Sequence, residues 1–174
     1  VLIRLLGGLA PDSSEPMPES MRIFLQETWR KITVRVPGTR FNFDFWRECQ
    51  PRRSTYPACR AVIAAREQGV QHESAMIKAI QQAYYLRAMN PSDDETLKAL
   101  AGELGLDAEV FSKALNDPAT QHQLEQEIQQ GRSMGAEGFP SLILDYNGQL
   151  HLLRYSYTDP APVLRQIDSL LAGA

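Results

Sequence analysis

The period of apolar positions changes along this chain, and each change marks an element. The opening run "VLIRLLGG" is continuously apolar apart from Arg4, the pattern of a strand buried on both faces. A loop rich in Gly, Pro and Ser, "GGLAPDSSEPMP", follows it. From about Glu19 to Lys31 the spacing becomes helical, with Met21, Phe24, Leu25, Trp29 and Ile32 recurring on one side. The aromatics of the connector "VPGTRFNFDFWRECQPRRS" predict a short docking turn. A better-marked helix follows: Ser54 or Thr55 stands at the N-cap, Pro57 fits the first turn, and Gly69 closes "ACRAVIAAREQG".

Residues 73–136 keep the helical period through four segments, "ESAMIKAIQQAYYLRAM", "SDDETLKALAGELG", "DAEVFSKALND" and "PATQHQLEQEIQQGRSMG". Most begin at acidic or capping residues, and several end near Gly or Asn. No internal repeat of fixed period is present, which argues against a solenoid. In "GAEGFPSLIL" the character changes again. Proline has no N–H for a sheet, so Pro140 in front of an apolar run reads as a strand entry. Asn147-Gly148 between two apolar runs then predicts a hairpin. Finally, "DPAPVLRQIDSLLAGA" opens on Asp-Pro and sets Val163, Leu164, Ile167, Leu170 and Leu171 on one helical face.

Length and composition narrow the class. At 174 residues the chain is one domain or one domain with a helical insertion, large enough to bury roughly 70% of its unfolded surface. Hydrophobic and charged fractions of 43% and 22% are ordinary for a globular protein, and no uncharged apolar run is long enough to cross a membrane. A net charge of −3 gives no electrostatic reason to expect nucleic acid. Cys49 and Cys59, nine residues apart, have neither CxxC nor metal-ligand spacing, and His72, His122 and His151 are scattered, so no metal site is expected. The simplest reading is two reduced thiols, with Cys59 a small buried residue beside Ala58, Val62 and Ile63. "AYYL" and "NFDFWRE" read as packing aromatics, His151 as a strand residue, and "SDDET" as a helix start that suits the dipole.

Together, "LLGGLAPDSSEPMP", "STYPACRAVIAAREQG", "AYYLRAM" and "GFPSLIL" resemble the DsbA-like, FrnE-like branch of the thioredoxin superfamily, a branch described as candidate protein-disulfide isomerases. The resemblance spans nearly the whole chain. It implies an α/β, thioredoxin-like fold with a large inserted helical subdomain. Residues 1–35 and 135–174 would form the thioredoxin-like part, and residues 36–134 the helical insertion and connectors. It also implies that the first strand, the active-site helix and its CxxC precede Val1, so that no catalytic residue is expected in the chain as given. The absence of an initial Met agrees with that expectation.

In relatives the proline before this strand is cis and faces the CxxC. Gly138, Phe139 and Pro140 are therefore expected to form a substrate-facing edge that pairs with an extended peptide. Phe139 is bulkier than the small or β-branched residue common at its position, which bears on substrate preference. Arg53, Ser54, Thr55 and Cys59, with Arg60 nearby, correspond to a helix start that lines the cleft in relatives. On residue chemistry alone, Ser54 or Thr55 merely caps the helix while the arginines are solvated or pair with Glu67 and its neighbours. The implied activity is thiol–disulfide exchange on cysteine-containing proteins or peptides in the cytoplasm, with no cofactor beyond glutathione as redox partner. The alternatives are a glutathione-dependent isomerase or transferase on the same scaffold, and a redox-silent peptide-binding module.

Overall fold

The computed structural model describes residues 2–172. They divide into two compact units, residues 8–126 and residues 2–7 with 127–172. Among the described residues no helix is long and apolar enough to cross a membrane.

The larger unit is helical. It contains α1 (Glu19–Arg35), α2 (Phe45–Glu48), α3 (Tyr56–Glu67), α4 (Gln71–Leu86), α5 (Asp94–Glu103) and α6 (Ala108–Leu115). Helix α7 (Pro118–Ser133) begins in this unit and ends in the other. The starts follow the local chemistry. The Pro18 carbonyl receives the Met21 and Arg22 N–H groups at the head of α1. Asp107 accepts from the Val110 N–H at 2.9 Å and Asp117 from the Ala119 N–H at 2.8 Å, each satisfying an orphan donor of a first turn. Gly69, between α3 and α4, sits at φ +146, where a side chain would be strained.

Thr55 departs from the expected capping role. It occupies the N-cap position of α3 with no side-chain cap bond. Instead its Oγ1 accepts the Leu9 N–H at 2.8 Å, while its own N–H donates to the Leu9 carbonyl at 3.1 Å. The buried Ser54 provides the local turn, accepting from the Tyr56 N–H at 3.3 Å. The two hydroxyls thus divide the work: one shapes the helix entry and the other holds the incoming chain.

Helix α3 is the core element. Ala61, Ile63 and Ala65 are fully enclosed, packed with Met76 of α4, Leu97 and Leu100 of α5, and Phe111 and Leu115 of α6 filling the same interior. Its alanines bring neighbouring helices close, and the larger side chains interdigitate around them. Trp29, Phe45 and Trp46 form a second cluster, backed by Met17, Leu25, Phe41 and Tyr84. The short connector α2 does dock its aromatics there.

Arg60 lies on α3, only 7% exposed. Its Nε donates to the Leu115 carbonyl at 3.1 Å, one Nη to Gln121 Oε1 at 3.0 Å and to the Asp12 carboxylate, and the other Nη to Asn116 Oδ1 at 3.4 Å. The expected solvated or Glu67-paired role is corrected: the guanidinium is an internal tie between the entry loop, the end of α6 and α7. A planar fork with five donors suits so many acceptors in one place.

In the smaller unit β1 (Leu142–Tyr146) pairs antiparallel with β2 (Gln149–Leu153), Leu142 opposite Leu153 and Tyr146 opposite Gln149. Asn147 and Gly148 have φ of 52 and 79, the two left-handed positions of a tight hairpin turn. Asp145 accepts the Gly148 N–H at 3.1 Å. Helix α8 (Ala161–Ala172) starts where Asp159 accepts from the Ala161 N–H at 2.9 Å. Gln166 then grips the end of β2, accepting from the Arg154 N–H at 2.9 Å and donating to its carbonyl at 2.6 Å.

One expectation about this unit needs correction. The opening run is not a strand over its described residues, and Leu2 and Ile3 are 75% and 73% exposed; Val1 lies outside the described residues. A strand exists only through a hydrogen-bonded neighbour, and here the Leu6 N–H goes to the buried Glu127 carboxylate at 2.8 Å instead. The apolar face of α8 contains no buried residue: Val163, Ile167 and Leu170 are half-buried, while Leu164 and Leu171 are exposed.

Replacing Arg60 by Met should lower the unfolding free energy by about 2–3 kcal/mol, because carbonyl and amide acceptors stay buried without a donor. Arg60→Lys should recover little, since one ammonium cannot serve the same fork. Asp12→Asn should cost less than about 1 kcal/mol, its side chain being half exposed. Urea titrations of the three variants check the ranking.

Candidate functional site

The loop between α7 and β1 carries the expected edge residues. Gly138, Phe139 and Pro140 are all exposed, and the Phe139–Pro140 peptide is cis. The loop is tied on both sides of Phe139. Ser141 Oγ donates to the Gly138 carbonyl at 2.7 Å, and the Tyr155 hydroxyl donates to the Pro140 carbonyl at 3.0 Å. Between these ties the Phe139 N–H and carbonyl have no hydrogen-bond partner among the described residues. The loop is thus tied on both sides while one backbone donor and one acceptor between the ties stay unused.

Phe139 is 62% exposed, yet it is not loose. A Cβ built on Gly7 would lie 1.6 Å from ring atom Cε1, so the ring rests against bare glycine backbone. Only a residue without a side chain permits that approach. "LLGG" is therefore more than a loop signal: Gly7 is a seat for Phe139.

Tyr155 and Tyr157 complete the surroundings, with rings edge-to-face at 5.4 Å and hydroxyls 3.5 Å apart. The hydrogen bond between the two hydroxyls is the main reason that the Tyr155 phenol is held above its ordinary range. Neither tyrosine was singled out by the sequence reading. The alternation in "RYSYTDP", two tyrosines at period two directly after a strand, is the signal that points to them.

The other expected site residues sit in the helical unit. Arg53 and Thr55 are exposed, Ser54 is buried and Cys59 is half-buried, all at the start of α3. The structure thus gathers Gly138, Phe139 and Pro140 on one loop and Arg53, Ser54, Thr55 and Cys59 at one helix start. Cys49 and Cys59 are not joined in a disulfide. Cys49 Sγ donates to the Ala88 carbonyl at 3.1 Å, and burial, then Asp93 and Glu48, push its thiol up. That is the opposite of what a redox nucleophile needs. Among the described residues no three His, Cys, Asp or Glu side chains converge as a metal-ligand set.

A family model described as a DSBA-like thioredoxin domain matches residues 10–157. The chain belongs to the DSBA-like thioredoxin domain family. Solved structures agree on the fold. A candidate protein disulfide isomerase from Nitrosomonas europaea is 21% identical, with a TM-score of 0.76 over 92% of this chain and 78% of that one. The cytosolic disulfide reductase DsbM from Pseudomonas aeruginosa is 23% identical, with a TM-score of 0.70 over 91% of this chain and 80% of that one. Among curated proteins, the ClpXP adapter protein SpxH of Halalkalibacterium halodurans is 27% identical over 119 residues, and that of Bacillus subtilis 29% over 119 residues. These matches take in 68% of this chain but only 38% and 40% of the relatives, so the chain spans about two fifths of their length. As a DSBA-like thioredoxin domain the chain is mostly helical with a small two-stranded sheet, the α/β class that the sequence predicts.

Two outcomes follow from this geometry. Gly7→Ala should displace the Phe139 ring while costing less than about 1 kcal/mol, because an exposed ring can swing aside; NMR should show shifted Phe139 ring resonances and an almost unchanged melting curve. Cys49 should alkylate with iodoacetamide at pH 8 several-fold more slowly than a free thiol, speeding up as pH rises beyond the usual thiol range of about 8.5. Peptide mapping of a Cys59→Ser variant measures it.

Proposed function

We propose that the chain is the substrate-binding part of a thiol–disulfide oxidoreductase acting on cysteine-containing proteins or peptides in the cytoplasm, through a CxxC contributed by residues ahead of Val1. The observation that carries this reading is Phe139. In a DSBA-like domain, an exposed side chain with an unused backbone N–H and carbonyl at the head of β1 is suited to receive an extended peptide. The flanking ties from Ser141 and Tyr155 hold the backbone still, so little ordering cost falls on binding.

In the reducing direction, a thiolate of the CxxC attacks one sulfur of the substrate disulfide and the other sulfur leaves as a thiolate. The second thiol of the pair, once deprotonated, displaces the substrate from the mixed disulfide. Two electrons pass to the substrate and the enzyme pair becomes a disulfide. Glutathione returns it to the dithiol by the same exchange run twice, and ends as its own disulfide. A nucleophile at a helix N-terminus would be favoured as thiolate by the dipole, whereas Cys49 lies at the C-terminal end of α2.

The curated relatives support a second reading. They are named as adapters, and a DSBA-like domain that binds a protein segment without exchanging thiols would have the same Phe139 edge to use.

Insulin reduction by the natural protein, with all that precedes Val1, separates the two. Turnover should persist when Cys49 and Cys59 are both replaced by Ala. Phe139→Ala should raise KM by about tenfold, the loss of one buried aromatic contact, with kcat changed less. Turnover that disappears with Cys49 and Cys59 would overturn the upstream-CxxC assignment. Peptide binding without any turnover would replace it by the adapter reading.

A further inference from the structure

A groove of about 590 Å³ opens in the helical unit, lined by none of the residues invoked for thiol chemistry. Leu25, Trp29 and Ile32 of α1 form one wall, Phe41 closes an end, and Tyr84, Tyr85 and Leu86 of α4 form the other wall. The floor is rigid. Phe41 stacks on Trp29 at 4.8 Å, and Tyr84 and Tyr85 meet Trp29 edge-on at 5.4 and 5.7 Å. Burial pushes both phenols up, and neither hydroxyl has a partner among the described residues. An exposed aromatic and aliphatic surface of this kind marks a binding site more often than chance exposure does.

Two further features define the occupant. Of the residues lining the groove only Arg40 and Lys78 are charged, and both are cationic, in a chain whose net charge is −3. Neither has an ion-pair partner among the described residues, and no carboxylate lines the groove. One row of the groove wall also continues beyond the groove. Phe24, Thr28 and Ile32 succeed one another at every fourth residue of α1, and Phe24 is 58% exposed. That row runs for about 12 Å at the helical rise, too long for a compact metabolite and suited to a chain segment.

We propose that this groove binds an acidic segment of another protein, with aromatic or large aliphatic side chains seated on the Trp29–Tyr85 floor and carboxylates meeting Arg40 and Lys78. The preformed floor supplies the contact area, and the two cations select the sign of the partner. The site is independent of any thiol exchange, so it stands or falls separately from the oxidoreductase reading.

Fluorescence polarisation on the full chain tests it with a short labelled peptide in which phenylalanines and leucine alternate with glutamates. Two controls replace the glutamates by lysine or the apolar residues by alanine. The glutamate peptide should bind at least about tenfold tighter than either control, and Arg40→Glu with Lys78→Glu should remove that margin and shift preference toward the lysine peptide. Tyr85→Ala should weaken binding without charge dependence. Arg40 and Lys78 are exposed and Tyr85 is 37% exposed, and circular dichroism verifies that the variants fold. The proposal is overturned by equal binding of the alanine peptide, or by indifference to the charge reversal. It is overturned too by loss of binding in Phe139→Ala alone, which would place the peptide on the β1 edge. Sedimentation showing a dimer that the reversal disperses would make the groove a self-association face, and would overturn it equally.

Discussion

A guanidinium that is almost wholly enclosed must find acceptors in several directions at once, and the helical unit is organised around that requirement at Arg60. The side chain leaves the most buried helix, α3, and reaches the last carbonyl of α6, the residue after it, the first turns of α7 and the loop ahead of α1. Each is a place where a helix ends or a loop begins, and so where backbone groups lack helical partners. An apolar residue in the same space would fill volume but leave the Leu115 carbonyl unpaired. Thr55, one turn earlier, holds Leu9 from the other side, so one end of α3 fixes both ends of the entry loop.

Much of the fold was legible because short-range chemistry decides it. Asp107 and Asp117 start helices by accepting first-turn N–H groups, and Asn147-Gly148 accepts left-handed backbone at low cost. The readings that failed concern long-range partners. An apolar run such as residues 2–6 has the composition of a strand whether or not a neighbour is there to pair with it. Nothing in that run reveals that Leu6 would give its N–H to Glu127, 121 residues further along the chain. Likewise a serine–threonine pair at a helix start looks like a cap, and only the path of residues 8–12 shows that Thr55 is committed elsewhere.

The candidate site was legible in part for the same reason. Pro140 announces itself through its missing N–H, and it brings Phe139 and Gly138 with it. Gly7 and Tyr155 do not, since their roles depend on a ring and a carbonyl distant in sequence. The aromatics illustrate a different limit. "NFDFWRE" and "AYYL" read as core, and Phe45 and Trp46 are core. Helical spacing cannot tell a residue that closes a core from one that lines an open groove beside it. Tyr84 and Tyr85 are adjacent on α4, both touch Trp29, and yet both line the groove.

The two units also bury their residues by different means, which bears on how an edge such as Phe139 would work. In the helical unit whole side chains from α3 to α6 are enclosed, whereas in residues 2–7 with 127–172 the described residues that are buried are Glu127, Ile128 and Leu153. Much of the order in the smaller unit is therefore carried by directional bonds: Asp145 in the turn, Gln166 on Arg154, Ser141 and Tyr155 beside Phe139. Hydrogen bonds open to water contribute only about 0.5–1.5 kcal/mol each, so such a unit opens locally at lower cost than a packed core. An extended peptide at the Phe139 backbone would add two main-chain bonds and cover an exposed ring, stabilising the loop as it binds. Pre-set geometry with modest local stability would leave room for bound segments of different sequence, because the main chain would supply the register and little of the pocket would have to be remade for each one.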